Sequence, residues 1–141
     1  MLLTADHGML DVPESSHVLF DTDPRLIDGI RHIAGEPRAL QLHFEPDAGG
    51  ALRERVIDHW RSVEGSRSWV VDRRQAVESG WFGAPVDDAV VPRIGDVIVA
   101  ARKAIAYYDS RAKRGHQMIG QHGSWSLEES SVPLLRFGSF F

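Results

Sequence analysis

Met1-Leu2-Leu3-Thr4-Ala5-Asp6-His7-Gly8 is the stretch on which the fold reading turns. Five mainly apolar residues read as a short buried strand that runs straight into an acid, an imidazole and a glycine. In open α/β sheets ligands gather at the carboxyl ends of the strands. Asp6 and His7 therefore stand where such a protein places a site. Carboxylate oxygen and imidazole nitrogen both bind zinc at about 2.0–2.2 Å, and Gly8 lets the backbone turn so that neighbouring side chains converge. A strand buried on both faces needs partner strands and crossovers, and a domain rarely begins with one. The expectation is a chain that is one piece of something longer.

Downstream, Asp23 as N-cap, Pro24 at the first helical position and Gly35 past the end, with Leu26, Ile27, Ile30 and Ile33 as a stripe, predict a helix over 24–34. Leu40, Leu42 and Phe44 alternate with Gln41 and His43, as in a strand with one buried face. Leu52, Val56, Trp60 and Val63 are spaced for a helix. Trp69-Val70-Val71 reads as a strand and 73–79 as a short helix. Residues 80–92 read as a loop, and 95–101 and 104–108 as two strands of a hairpin. Val132 to Phe137 reads as a last strand, with Pro133 favouring an edge or a start. Residues 37–108 thus order as β-α-β-α-β-β, a ferredoxin-like α+β layer. The expected organisation is 1–36 as the end of a metal-binding core, 37–108 as an inserted α+β subdomain, and 109–141 as the return to that core.

Composition narrows the function classes. The 141 residues hold no cysteine, which excludes disulfides, a thiol nucleophile and Cys-based zinc fingers. No apolar run approaches the roughly 20 residues of a membrane span. Net charge is −4, and the mildly basic stretch of Arg102, Lys103, Arg111, Lys113 and Arg114 is far short of what a nucleic-acid duplex requires.

A second constellation, Gly120-Gln121-His122-Gly123-Ser124, sets one imidazole between two glycines, where apolar neighbours are lacking. Taken together, Leu3-Thr4-Ala5-Asp6-His7-Gly8-Met9, Gly120-Gln121-His122-Gly123-Ser124 and Val132-Pro133-Leu134-Leu135 resemble the C-terminal part of the type I phosphodiesterase/nucleotide pyrophosphatase family. That family belongs to the alkaline phosphatase superfamily. The resemblance implies an alkaline-phosphatase-like α/β fold and a site of two zinc ions, with Asp6 and His7 on one and His122 on the other. It further implies a small phosphoester or nucleotide substrate, attacked by a Thr or Ser to give a phospho-enzyme. The family's nucleophile and its Asp-x-x-x-His ligands precede the Asp-His-Gly motif, so they are expected upstream of residue 1, in a missing N-terminal portion of the same protein. This chain alone is then expected to be inactive. A phosphoglycerate mutase or sulfatase branch of the superfamily, and a noncatalytic α/β binding module, are the competing readings. Met9 and the Gly-Gln-His-Gly-Ser context favour the phosphodiesterase branch.

Other candidates read more plainly. Asp28 and His32 have Asp-x-x-x-His spacing but follow the Asp-His-Gly motif, and read as a solvent-facing pair on the 24–34 helix. His17, His43, His59 and His116 read as structural or solvated. Ser124 and Ser126 lack a Gly-x-Ser-x-Gly elbow, and Ser126 with Glu129 fits a capping box. Trp81-Phe82 reads as a hydrophobic anchor of its loop, with base stacking as the alternative.

Overall fold

The alternation at Leu40, Leu42 and Phe44 is realised in the computed structural model, which describes residues 1–111 and 117–140, as strand β5 (Ala39–Phe44). It lies in a four-stranded antiparallel sheet with β4 (Ile30–Glu36), β6 (Ser68–Asp72) and β7 (Val97–Ala101), in the order β4-β5-β7-β6. Both β5 and β6 run antiparallel to β7 and so parallel to each other. Helix α1 (Gly50–Glu64) joins them, giving the split β-α-β unit of ferredoxin-like layers. On one face Leu40, Leu42, Phe44, Val70, Val97 and Val99 bury against Val56 and Trp60 of α1, with Leu52 partly buried beside them. Trp60 is completely buried, and its indole N–H donates to the Leu26 carbonyl. The opposite face is covered by α2 (Arg73–Glu78), where Ala76 packs with Ile94, Ile98 and Ala100.

Three local expectations change. The 24–34 helix is replaced by a single 3-10 turn at Pro24–Leu26 followed by β4. The capping signal at Asp23 is real, since its carboxylate accepts the Arg25 N–H. Gly29, at φ +66, then turns the chain, and the β-branched Ile30 and Ile33 pair with Phe44 and Leu42 across the sheet. The 95–108 hairpin does not form either: β8 (Ala106–Tyr108) pairs in parallel with β3 (His17–Leu19). Finally, β1 (Leu2–Thr4) is exposed along its length and, among the described residues, pairs only with β10 (Leu134–Arg136), which begins just after Pro133. Lys113, Arg114 and His116 lie outside the described residues. Among the described residues no helix is long and apolar enough to cross a membrane.

Candidate functional site

The two histidine segments are brought together by a short antiparallel ladder. In it β2 (Leu10–Asp11) pairs with β9 (Gly120–Gln121), Leu10 opposite Gln121 and Asp11 opposite Gly120. The chain segments just outside the ladder carry His7 and His122, whose rings stack with centroids 3.6 Å apart and planes 13° from parallel. The His7 Nδ1 lies 2.8 Å from the Gly8 carbonyl oxygen. A carbonyl only accepts, so Nδ1 donates here, which in the neutral imidazole leaves Nε2 as the nitrogen that can ligate a metal. That Nε2 stands 3.8 Å from Asp6 Oδ1, close to the separation of about 3.4 Å between two ligands of one tetrahedral zinc. Asp6 itself is almost fully exposed, its side chain 91% accessible.

A buried ion pair clamps both segments to the sheet. Arg38, in the β4–β5 turn and wholly buried, forks onto both carboxylate oxygens of Glu129 at 2.7 and 2.8 Å. Its remaining terminal nitrogen donates to the Lys103 and Ile105 carbonyls. Glu129 sits in the short helix α3 (Leu127–Ser130), which Ser126 caps as expected in a capping box. Its carboxylate also accepts the backbone N–H groups of Ser124 and Ser126, and its carbonyl accepts the Gly8 N–H at 2.8 Å. Thus one residue touches both histidine-bearing segments and the sheet. Burial pushes the Glu129 carboxyl up, but the Arg38 fork and the Ser124 and Ser126 donors prevail and hold it at about 2. Gly8 lies hard against α3: a Cβ there would stand 1.9 Å from the Glu128 carbonyl oxygen. The sequence offered no sign of Arg38, because its partner lies 91 positions away. Proline before it and alanine after it suggest only a turn.

The other described histidines stay outside this arrangement. His17 packs on the Tyr108 ring at 4.4 Å, and His59 bonds Asp23 at 2.7 Å. His32 and His43 face each other across β4 and β5, with ring centroids 5.9 Å apart. Burial pulls the His43 imidazole below its ordinary value. With 24–34 not helical, Asp28 and His32 do not share a helix face. Among the described residues, no three His, Asp or Glu side chains converge as one metal-holding group.

Solved structures share the fold. The human ectonucleotide pyrophosphatase/phosphodiesterase 5 is 15% identical with a TM-score of 0.69, over 95% of this chain and 32% of that one. A murine ectonucleotide pyrophosphatase/phosphodiesterase 5 in complex with AMP is 15% identical, TM-score 0.62, over 94% and 32%. Phosphonoacetate hydrolase from Sinorhizobium meliloti 1021, in complex with phosphonoformate, is 15% identical, TM-score 0.63, over 95% and 35%. The chain spans about a third of each and shares their alkaline-phosphatase-like fold. No curated protein sequence matches it. The family model for type I phosphodiesterase / nucleotide pyrophosphatase matches residues 1–125, taking in both histidine segments, and the chain belongs to that family.

Proposed function

We propose that this chain is the C-terminal portion of a zinc-dependent phosphodiesterase or nucleotide pyrophosphatase, in which Asp6 and His7 ligate one zinc ion and His122 a second. The stacked imidazoles carry this reading. Ring lone pairs lie in the ring planes, so two parallel rings 3.6 Å apart direct their nitrogens to two separate points rather than one. That offset fits the spacing of about 3.5–4 Å in two-metal phosphoryl-transfer sites. The donor types present, one carboxylate and two imidazoles, suit zinc but supply fewer than half of the ligands that two ions require.

Bound zinc would lower the pKa of an attacking hydroxyl and offset charge on the phosphoryl oxygens. This chain's own residues supply position. The Gly8 carbonyl fixes the His7 tautomer, Gly8 seats Asp6 and His7 on α3, and Glu129 holds the backbone on the far side of His122. The substrate would be a small phosphoester or nucleotide, cleaved at a phosphodiester or pyrophosphate bond through a phospho-enzyme. Its Thr or Ser nucleophile and the remaining ligands would come from a preceding portion of the same protein. In this organisation 1–36 and 109–141 belong to the metal-binding core and 37–108 to the insert, to whose sheet β4 adds an edge.

Zinc titration of the chain followed by NMR of the histidine rings tests the ligand assignment. His7 and His122 should shift together, His59 should stay, and His122→Ala should abolish the response. Zinc that moves His32 and His43 instead, or no saturable change, would overturn it. A second measurement bears on completeness. With zinc and a chromogenic phosphodiester the chain alone should show no enzymatic turnover, and robust turnover lost in His122→Ala would show that a nucleophile lies within these residues.

A further inference from the structure

Three of the four tryptophans meet at one surface concavity of about 280 Å³ lined by Trp69, Trp81 and Trp125. Trp69 stands nearly perpendicular to the other two, at 70° and 80°, with centroids 6.3 and 6.4 Å away. Trp81 and Trp125 touch each other at 4.4 Å. The three indoles lie in three different planes, Trp81 and Trp125 tilted 47° to each other, and Trp69 and Trp125 remain 38% and 43% exposed. Leaving that much indole in water forgoes hydrophobic stabilisation that a purely structural cluster would take.

Each ring is held by a backbone fixed independently of the cluster. Trp69 sits in β6 opposite Ala100. Trp81 is the second residue beyond a Schellman cap of α2: its N–H reaches the Ala76 carbonyl and the Gly80 N–H that of Val77, with Gly80 at φ +77. Trp125 immediately precedes Ser126, the N-cap of α3. The concavity is therefore preformed, and binding would cost little ordering. A cation lies against one of its rings. The Arg102 guanidinium lies 5.4 Å above the Trp69 ring, and exposed Lys103 follows.

We propose that Trp69, Trp81 and Trp125 form a cradle for an aromatic ring bearing an anionic group, the ring packed against the indoles and the anion paired with Arg102. Edge-to-face and offset contacts with indole favour a planar ring. Arg102 selects against a cationic one, which the indole faces would otherwise attract. The proposal is independent of the metal reading and requires no phosphoester.

Indole N–H signals in a nitrogen–proton correlation spectrum test it directly, because buried Trp60 is a built-in control. Benzenesulfonate should move the Trp69, Trp81 and Trp125 signals saturably and leave Trp60 in place. Methanesulfonate, benzyl alcohol and benzyltrimethylammonium, which lack the ring, the charge or its sign, should bind at least about tenfold more weakly. Trp125→Leu and Arg102→Gln should each weaken benzenesulfonate by about tenfold or more. Should Trp125→Leu displace the Trp60 signal, the exposed Arg102→Gln substitution carries the comparison. No saturable movement with benzenesulfonate, an equal response to benzyl alcohol, tighter binding of the ammonium, or undiminished binding by Arg102→Gln would each overturn the assignment.

Discussion

At Gly8 the side chain is missing for a reason that distances make plain. A Cβ would stand 1.9 Å from the Glu128 carbonyl oxygen and 2.7 Å from that of Ser131, both backbone atoms that cannot swing aside. Gly8→Ala should therefore push the Asp6-His7 segment off α3, at a cost of about 1–3 kcal/mol. The measurable outcome is a zinc response of the His7 ring weakened by about tenfold or more while the Trp60 indole signal stays in place. Gly123 answers a similar demand, at φ +116 with a would-be Cβ 2.6 Å from that of Glu36. The proposed Asp6, His7 and His122 were singled out only because Asp-His-Gly and the distant His-Gly occur together, either half alone being commonplace. Arg38 was not, since a buried arginine declares itself only through a carboxylate that folding delivers.

Between elements, the Arg38–Glu129 pair joins the β4–β5 turn to α3. Removing one member of a buried pair strands the other, so Arg38→Met should destabilise the chain by about 3–5 kcal/mol in denaturant unfolding. The Lys103 and Ile105 carbonyls would each lose the guanidinium as well, Lys103 keeping the Ile105 N–H. Acid should act on the same contact. The Glu129 carboxyl is lowered from 4.5 to about 2 in the fold, so the stability it contributes is fully present above 4.5 and lost as pH falls towards 2. Unfolding midpoints measured across that window should drop less in Glu129→Gln than in the unaltered chain. Strand β5 and helix α1 were legible from period, and β6 and β7 from short β-branched apolar runs. The 24–34 segment was not. Leu26, Ile27, Ile30 and Ile33 satisfy a helical stripe, yet Asp28-Gly29 supplies a turn, and the open edge of β5 offers Ile30 and Ile33 a better partner than solvent. The pairing of β8 with β3 was equally hidden, because 86 residues lie between Leu19 and Ala106.

Across the whole molecule stability is unevenly spread. The four-stranded sheet is covered on both faces, whereas β1 and β10 form a lone two-stranded ribbon with Leu2, Leu3, Leu134 and Leu135 all about half exposed. An isolated ribbon of this kind is marginal in water. In native-state hydrogen exchange the β5 and β7 amides should be the slowest and those of β1 and β10 should exchange near the unprotected rate; equal protection in both would contradict this gradient. Apolar side chains on such a ribbon suit a place against further core, which accords with a chain spanning a third of its structural relatives. The stack of His7 on His122 has a consequence in time. Its halves lie 115 positions apart. At synthesis rates of about 5–20 residues per second, Asp6 and His7 leave the ribosome roughly ten seconds before their counterpart exists. In that interval the intervening sheet has ample time to fold, since hairpins close in about 1–10 μs. Arg38 is then already in place in its turn when Glu129 emerges, and the half-site that was made first waits on the newest stretch of chain.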